Sequence, residues 1–162
     1  MQQIIYNPIG IIHTPFSSAK GTPIHPEASK DATGWIELLP EFEDGLKDLS
    51  GFSHLILTFH FHKIQGVNLS PVPYLDTKSR GVFATRAPSR PNPIGLSIVK
   101  LNKIAGNILH IQEVDMLDGT PLLDIKPFIP HFQPTEDVRI GWLAPKIGKL
   151  KKARDDGRFS EE

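Results

Sequence analysis

Hydrophobic and polar positions alternate most cleanly between Ser53 and Lys63 (SHLILTFHFHK), where Leu55, Leu57, Phe59 and Phe61 share one side of a strand. His54, Ile56, Thr58, His60 and His62 share the other, so one face is core and the other carries three imidazoles. The same period of two marks Gly34 to Leu39, ended by Pro40, and the runs Ile94 to Ile104 and Asn107 to Val114. Ala105, Gly106 and Asn107 join the last two runs as a hairpin, with positive φ expected at Gly106 and Asn107. Ile4 to His13 reads as a strand entered through a turn, and Val138 to Leu143 as a short added strand. Leu122 to Ile129 reads as a last long strand, which Pro127 assigns to a sheet edge. Helical spacing occurs at Phe42, Leu46 and Leu49, predicting one short amphipathic helix over Glu41 to Leu49 that Gly51 stops.

The connections are rich in proline and glycine. Thr14 to Ala32 is an irregular excursion of the length that usually carries function or mobility, and Ile64 to Lys78 reads as a mobile link. In Gly81 to Ser97 (GVFATRAPSRPNPIGLS) a strand at Val82 to Ala84 breaks into a loop with Pro88, Pro91 and Pro93, which can be neither helix nor mid-sheet. Such a stiff loop holds the guanidinium forks of Arg86 and Arg90 and the amide of Asn92 in fixed directions. That suits an anionic or planar polar ligand; a rigid connection with solvated arginines is the reading the residues leave beside it. In Asp115 to Asp124 (DMLDGTPLLD), Asp118 and Gly119 form a tight turn. From Pro145 the chain is polar, a basic run followed by an acidic pair, and reads as a solvated terminus. Seven or so short strands with turn-rich links predict a mainly β fold, an antiparallel barrel or sandwich with few short helices.

Composition narrows the function classes. The 162 residues suffice for one domain with its own core, and 18 basic residues against 18 acidic ones give no global field for a nucleic acid, so any RNA contact must be local. No cysteine is present, which removes disulfides, thiolate zinc sites and cysteine nucleophiles and makes a cytoplasmic location the simplest expectation. No apolar run approaches a membrane span and the first residues do not form a signal peptide, so no membrane partner is expected. The three histidines lack the acidic or thiolate companions of a zinc set, and no metal is expected.

The run ATRxPxRPNPIGLS resembles the signature of the TrmO family, also called TsaA-like. These are S-adenosylmethionine-dependent tRNA methyltransferases acting on N6 of a threonylcarbamoylated adenosine beside the anticodon. Further segments match: IHTPF and the loop after it, FHFHK, and DMLDGTPLLDIKPF. Together they run from Ile9 to about Pro130, and the closing DDGRF resembles the end of the short form of the family, which lacks an extra C-terminal domain thought to help hold tRNA. The chain departs from the family at Ile24-His25, where Arg-Gln is usual, at Phe128, where Tyr is favoured, and at Gln133, where an acidic residue is frequent.

The resemblance implies a small β-barrel domain over residues 1–140 with a short tail at 141–162, working as a homodimer with the cofactor near the subunit interface. It implies cofactor contacts from Pro23, Ile24 and His25, from His62 and Lys63, and from the signature loop at Arg86, Arg90, Asn92, Pro93 and Leu96. The DGTP turn would add Asp118, Gly119, Thr120 and Pro121. Arg86 is the candidate partner of the cofactor's carboxylate, and the Asp118 turn the candidate acceptor for its ammonium and ribose hydroxyls. A substrate nitrogen must lose its proton, for which Asp115, Asp118 and His62 are the candidate bases. Arg90, Lys63, Lys126 and the Lys146 to Arg154 stretch are candidate phosphate contacts to an anticodon arm.

Overall fold

The alternating runs close on one another. The computed structural model, which describes residues 2–25, 28–130, 136 and 138–159, holds six strands: β1 Gly10–His13, β2 Thr33–Leu38, β3 His54–His60, β4 Ile94–Ala105, β5 Ile108–Gln112 and β6 Thr120–Pro127. All neighbours are antiparallel and their order is β1-β2-β5-β4-β3-β6, with β6 returning to β1. The fold is thus a closed antiparallel β-barrel, which leaves no row of unpaired backbone groups. Inward positions follow the period of two: Ile12, Ile36, Leu55, Leu57, Val99, Leu109, Ile111 and Leu122 are all fully buried. Register shifts at Thr58/Phe59 in the β3–β6 pair and at Leu101/Lys103 in the β4–β5 pair bend the sheet into closure.

Gly95 of β4 shows how tightly the barrel wall is packed. A Cβ there would lie 2.2 Å from the ring of Phe59, its cross-strand neighbour, and that ring is buried. Gly95→Ala is therefore expected to destabilise the protein by about 1–3 kcal/mol, as an over-packed core does. A urea melt of the variant checks it: an unchanged midpoint would mean that the Phe59 ring yields freely.

Several elements differ from the sequence expectation. The first strand starts at Gly10, where the chain comes into register with β2 and β6 after Ile9 has bonded to Leu122 and Leu39; Ile4, Ile5 and Tyr6 are exposed. Glu41 to Leu49 is not an α-helix: 3-10 turns span Pro40–Leu46 and Leu49–Gly51, separated by Asp48 in the left-handed region (φ 64°). Leu46 and Leu49 still pack against the core, which is why the spacing looked helical. Val82–Ala84 is a 3-10 turn rather than a strand, since Thr85 bonds back to the Val82 carbonyl through both its N–H (3.1 Å) and its hydroxyl (2.9 Å). In the hairpin only Gly106 has positive φ (59°). Asn107 works differently, its side-chain amide donating to the Leu38 carbonyl at 2.7 Å and so latching the turn to β2. Pro127 marks no edge: it closes β6 opposite Leu55, where the paired run ends. Val138 to Ile140 form no strand, and Gly141–Lys152 is a 3-10 run. Gln133 lies outside the described residues.

The tail, as far as Phe159, packs against the loops around residues 21–23, 72–76 and 84 instead of trailing into solvent. Asp76, a nearly buried carboxylate in the Ile64 to Lys78 link, accepts from Arg80 (2.8 and 2.9 Å) and pairs with Lys146 (2.7 Å). These hydrogen bonds from Lys146 and Arg80 hold its carboxyl well below the usual carboxylate range. Trp142 donates to the Ala84 carbonyl (2.8 Å) under the Arg80 and Lys146 cations. Beyond Lys152, Pro23 and Arg154 form a β-bridge, with Gly21 N–H to Asp155 O and Asp155 N–H to Thr22 O both at 2.8 Å.

Candidate functional site

One cavity of about 320 Å³ opens at the end of the barrel where β3 ends and β4 begins. Its floor is apolar, from Phe59, Phe61, Ile64, Gly95 and Met116, and Ile94 and Leu96 of β4 are half-exposed at its mouth. The signature loop forms one wall. Arg90 shapes it from inside, donating to the carbonyls of Val82, Thr85 and Ala87 (3.0 to 3.3 Å). This guanidinium lines the cavity but is largely committed to holding the loop. Arg86, exposed, donates to the Leu96 carbonyl, the start of β4. One arginine builds the loop and the other is presented by it.

Asp115 is the carboxylate in the lining whose acidity is most altered. It follows β5, immediately after Glu113 has turned the backbone through positive φ (68°) and Val114 has entered the core. Its carboxylate accepts a 2.5 Å bond from Ser97, an inward residue of β4. Burial pushes its pKa from 3.8 up to about 6, opposed by the Ser97 hydroxyl and the Arg86 charge. His62, past the end of β3, is held below 6.5 chiefly by burial and then by the nearby Lys63 and His60 charges, with Asp118 acting the other way. Its Nδ1 lies 3.5 Å from the Thr120 hydroxyl, which donates to the Leu117 carbonyl at 2.7 Å. Its surroundings therefore favour the neutral form of the imidazole.

Of the residues expected from the sequence, the cavity brings together Pro23, Ile24, His62, Lys63, Arg86, Arg90, Leu96, Asp115 and Thr120. The others lie outside its lining. Asp118 is on the exposed turn, where it accepts the Thr14 N–H (3.0 Å) and pairs with His13 (3.4 Å), while Gly119 provides the positive φ (74°) of that turn. Pro121 pairs with Ile11 in the barrel. Asn92 and Pro93 contribute through their carbonyls, to Ile94 N–H (2.7 Å) and Phe61 N–H (2.8 Å), fixing how β3 and β4 end. His25 is not in the lining, although Ile24 before it is.

Sequence reasoning missed Ser97, Tyr74, Asp155 and Phe159, all in the lining. Ser97 had a signal, a hydroxyl at an inward position of an alternating strand. The other three come from irregular segments: Asp155 and Phe159 had only the resemblance of the closing DDGRF to the family's short form, which did not mark them as lining, and Tyr74 had no signal. The expected phosphate contacts fare unevenly: Lys126 pairs with Asp124 and Lys146 with Asp76, while Lys149, Lys151 and Lys152 of the 3-10 run are exposed.

A closed barrel with an open-ended cavity, apolar on its floor and bearing a half-buried carboxylate, an imidazole and an arginine at the rim, is a small-ligand site built for a molecule with both apolar and charged parts. The family model for the tRNA-methyltransferase O N-terminal domain matches residues 11–133. A probable S-adenosyl-L-methionine-binding protein of Pyrococcus abyssi is 58% identical over 96% of this chain and 85% of its own length. A mouse tRNA (adenine(37)-N6)-methyltransferase is 35% identical over 85% of this chain, which spans only 33% of that protein. The crystal structure of TrmO from Pseudomonas aeruginosa superposes with a TM-score of 0.72 and 38% identity, covering 87% of this chain and 63% of that one. The chain belongs to the tRNA-methyltransferase O family. Membership brings S-adenosylmethionine as cofactor and methyl transfer as the class of chemistry.

The lining fits that cofactor. A sulfonium amino acid joined to adenosine has a carboxylate for Arg86, an ammonium and hydroxyls for acceptors, and an adenine for the apolar stretch around Leu96 and the Gly95 backbone.

Proposed function

We propose that this protein is an S-adenosylmethionine-dependent methyltransferase that modifies N6 of threonylcarbamoylated adenosine beside the tRNA anticodon, working in the cytoplasm as a homodimer. The observation that carries the reading is the convergence, in one cavity of a tRNA-methyltransferase O chain, of Arg86, His62, Lys63, Leu96 and Thr120 with the half-buried Asp115. When bound, the cofactor supplies an electrophilic methyl group on a sulfonium. Transfer to a nitrogen is an in-line displacement in which charge leaves sulfur, so the protein gains most by holding the partners in line.

Of the three candidate bases, Asp115 fits best. Asp118 is turned away and engaged by His13 and Thr14, and His62 is a weak base in its buried place. Asp115 faces the cavity, is oriented by Ser97, and has a basicity raised towards that of an efficient neutral-pH proton acceptor. It takes the N6 proton while Ser97 and Arg86 balance its charge. Lys63, exposed on the lining, offers a partner to the threonyl carboxylate. The dimer is supported by the exposed apolar side chains of Phe83, Ile94 and Leu96 beside the cavity.

The exposed lysines of the 3-10 run suit the phosphates of an anticodon arm. Replacing Lys149, Lys151 and Lys152 together by alanine is expected to weaken tRNA binding and to lower the slope of log K against log salt by about one for each lysine that meets a phosphate. Filter binding over a salt series checks this, and an unchanged slope would move the RNA surface elsewhere. The proposed activity itself is tested by following labelled methyl from the cofactor into tRNA nucleosides. A second reading, a cofactor-binding protein without catalysis, is favoured by the names of the archaeal relatives, which mention binding alone.

A further inference from the structure

The segment Ala153 to Phe159 lies beyond the stretch that the family model matches, yet it forms part of the cavity wall. Asp155 and Phe159 line the cavity together with Tyr74 from the long Ile64 to Lys78 link. Each is held from several sides. The Asp155 backbone is clamped to the Gly21 to Thr22 backbone by bonds in both directions, each 2.8 Å. Its carboxylate accepts the Gly157 N–H at 2.7 Å and lies beside the Tyr74 hydroxyl; burial first, and then this neighbouring carboxylate, push the Tyr74 phenol well above its usual range. Phe159 meets the Tyr74 ring edge to face, centroids 5.0 Å apart. Arg158 straps the segment down, donating to the Pro73 carbonyl at 2.8 Å and the Val72 carbonyl at 3.3 Å, and directs its ion pair to Asp156 rather than Asp155.

A carboxylate offers about four acceptor positions; among the described residues the Gly157 N–H takes one and the Tyr74 hydroxyl lies beside another. We infer that Asp155 is a cofactor-binding residue, its remaining acceptor positions taking hydrogen bonds from donor groups of the bound S-adenosylmethionine, with Tyr74 as the positioning residue that aims it. The donors concerned are the ammonium of the amino-acid end or the ribose hydroxyls, which share this chemistry. The inference rests on the cofactor reading and gives the tail a role in the ligand site, separate from any grip on RNA. Seating the acceptor on a segment clamped at the backbone fixes it before the ligand arrives, so little ordering accompanies binding.

The test is calorimetric binding of S-adenosylmethionine and of 5′-methylthioadenosine, which keeps the ribose and adenine but lacks the amino-acid end, to the wild type and to Asp155→Asn, with a thermal melt of each. Asparagine keeps the shape and one carbonyl acceptor but removes the charge. S-adenosylmethionine is expected to bind about 10- to 100-fold more weakly to Asp155→Asn, the range for a lost bond to a charged group, with an unchanged melting temperature. Loss confined to S-adenosylmethionine assigns the ammonium; parallel loss for both ligands assigns the ribose. Unchanged affinity, or a lowered melting temperature with unchanged affinity, overturns the inference. Should Asp155→Asn fail to fold, Tyr74→Phe serves: about 2- to 10-fold weaker binding supports it and unchanged binding overturns it. Wild-type protein that binds neither ligand overturns the cofactor reading as well, whereas wild-type binding indifferent to these substitutions overturns this inference alone.

Discussion

Asp115→Asn is expected to lower kcat by about 100- to 10,000-fold while leaving the cofactor's Kd within a few-fold of the wild type, the signature of a lost proton acceptor. Asparagine still accepts the Ser97 hydroxyl bond, so the local packing survives and only basicity is removed. The pH dependence carries the same information. Asp115 must be ionised to act, so wild-type kcat should rise through about pH 6, and the variant's residual rate should lose that limb. Stability runs the opposite way. Because the folded pKa is raised from 3.8 to about 6, the native state keeps a proton that the unfolded chain has released between those values. The fold therefore loses stability as pH rises through that window, and Asp115→Asn should abolish the loss. Full activity in Asp115→Asn would pass the role of base to His62, the other candidate in the lining.

Arg86→Ala is expected to weaken S-adenosylmethionine binding by about 10- to 100-fold, the range for losing a charge-assisted bond to a carboxylate. The signature loop should survive the change, since the guanidinium that holds its carbonyls belongs to Arg90. A comparison of ligands isolates the contact: 5′-methylthioadenosine has no carboxylate, and its affinity should be nearly the same for the wild type and for Arg86→Ala. Equal loss for both ligands would show that Arg86 acts by supporting the Leu96 backbone instead. Lysine at this position should restore only part of the affinity, because a point charge cannot reproduce the planar fork.

The barrel was legible wherever the chain obeyed a period of two. Leu55, Leu57 and Phe59 were placed on the inward face of β3 by alternation alone, and they are buried. Local pattern failed where hydrogen bonding was decided by partners distant in sequence. Val82–Ala84 has strand-like residues but no strand beside it, so its backbone turns on itself. Pro127 looked like an edge marker because a proline gives no N–H to a ladder, yet the sheet has no edge and the residue sits where the pairing stops. Within the site, the stiff loop and its two arginines were visible as proline spacing, but their division of labour was not, since Arg90's acceptors are carbonyls up to eight residues away. Asp155 and Phe159 reach the cavity because Arg158 and the Gly21 to Thr22 backbone hold the tail against the loops that border it. No periodicity records a contact of that kind.

The proposed function is tested most directly by incubating the protein with methyl-labelled S-adenosylmethionine and total tRNA, then digesting the RNA and identifying nucleosides by mass spectrometry. The expected result is the mass of one added methyl group on threonylcarbamoyladenosine, absent when Asp115→Asn replaces the wild type. Cofactor binding in the same preparation with no tRNA nucleoside gaining a methyl would contradict it, and would leave a cofactor-binding protein acting on another substrate or on none.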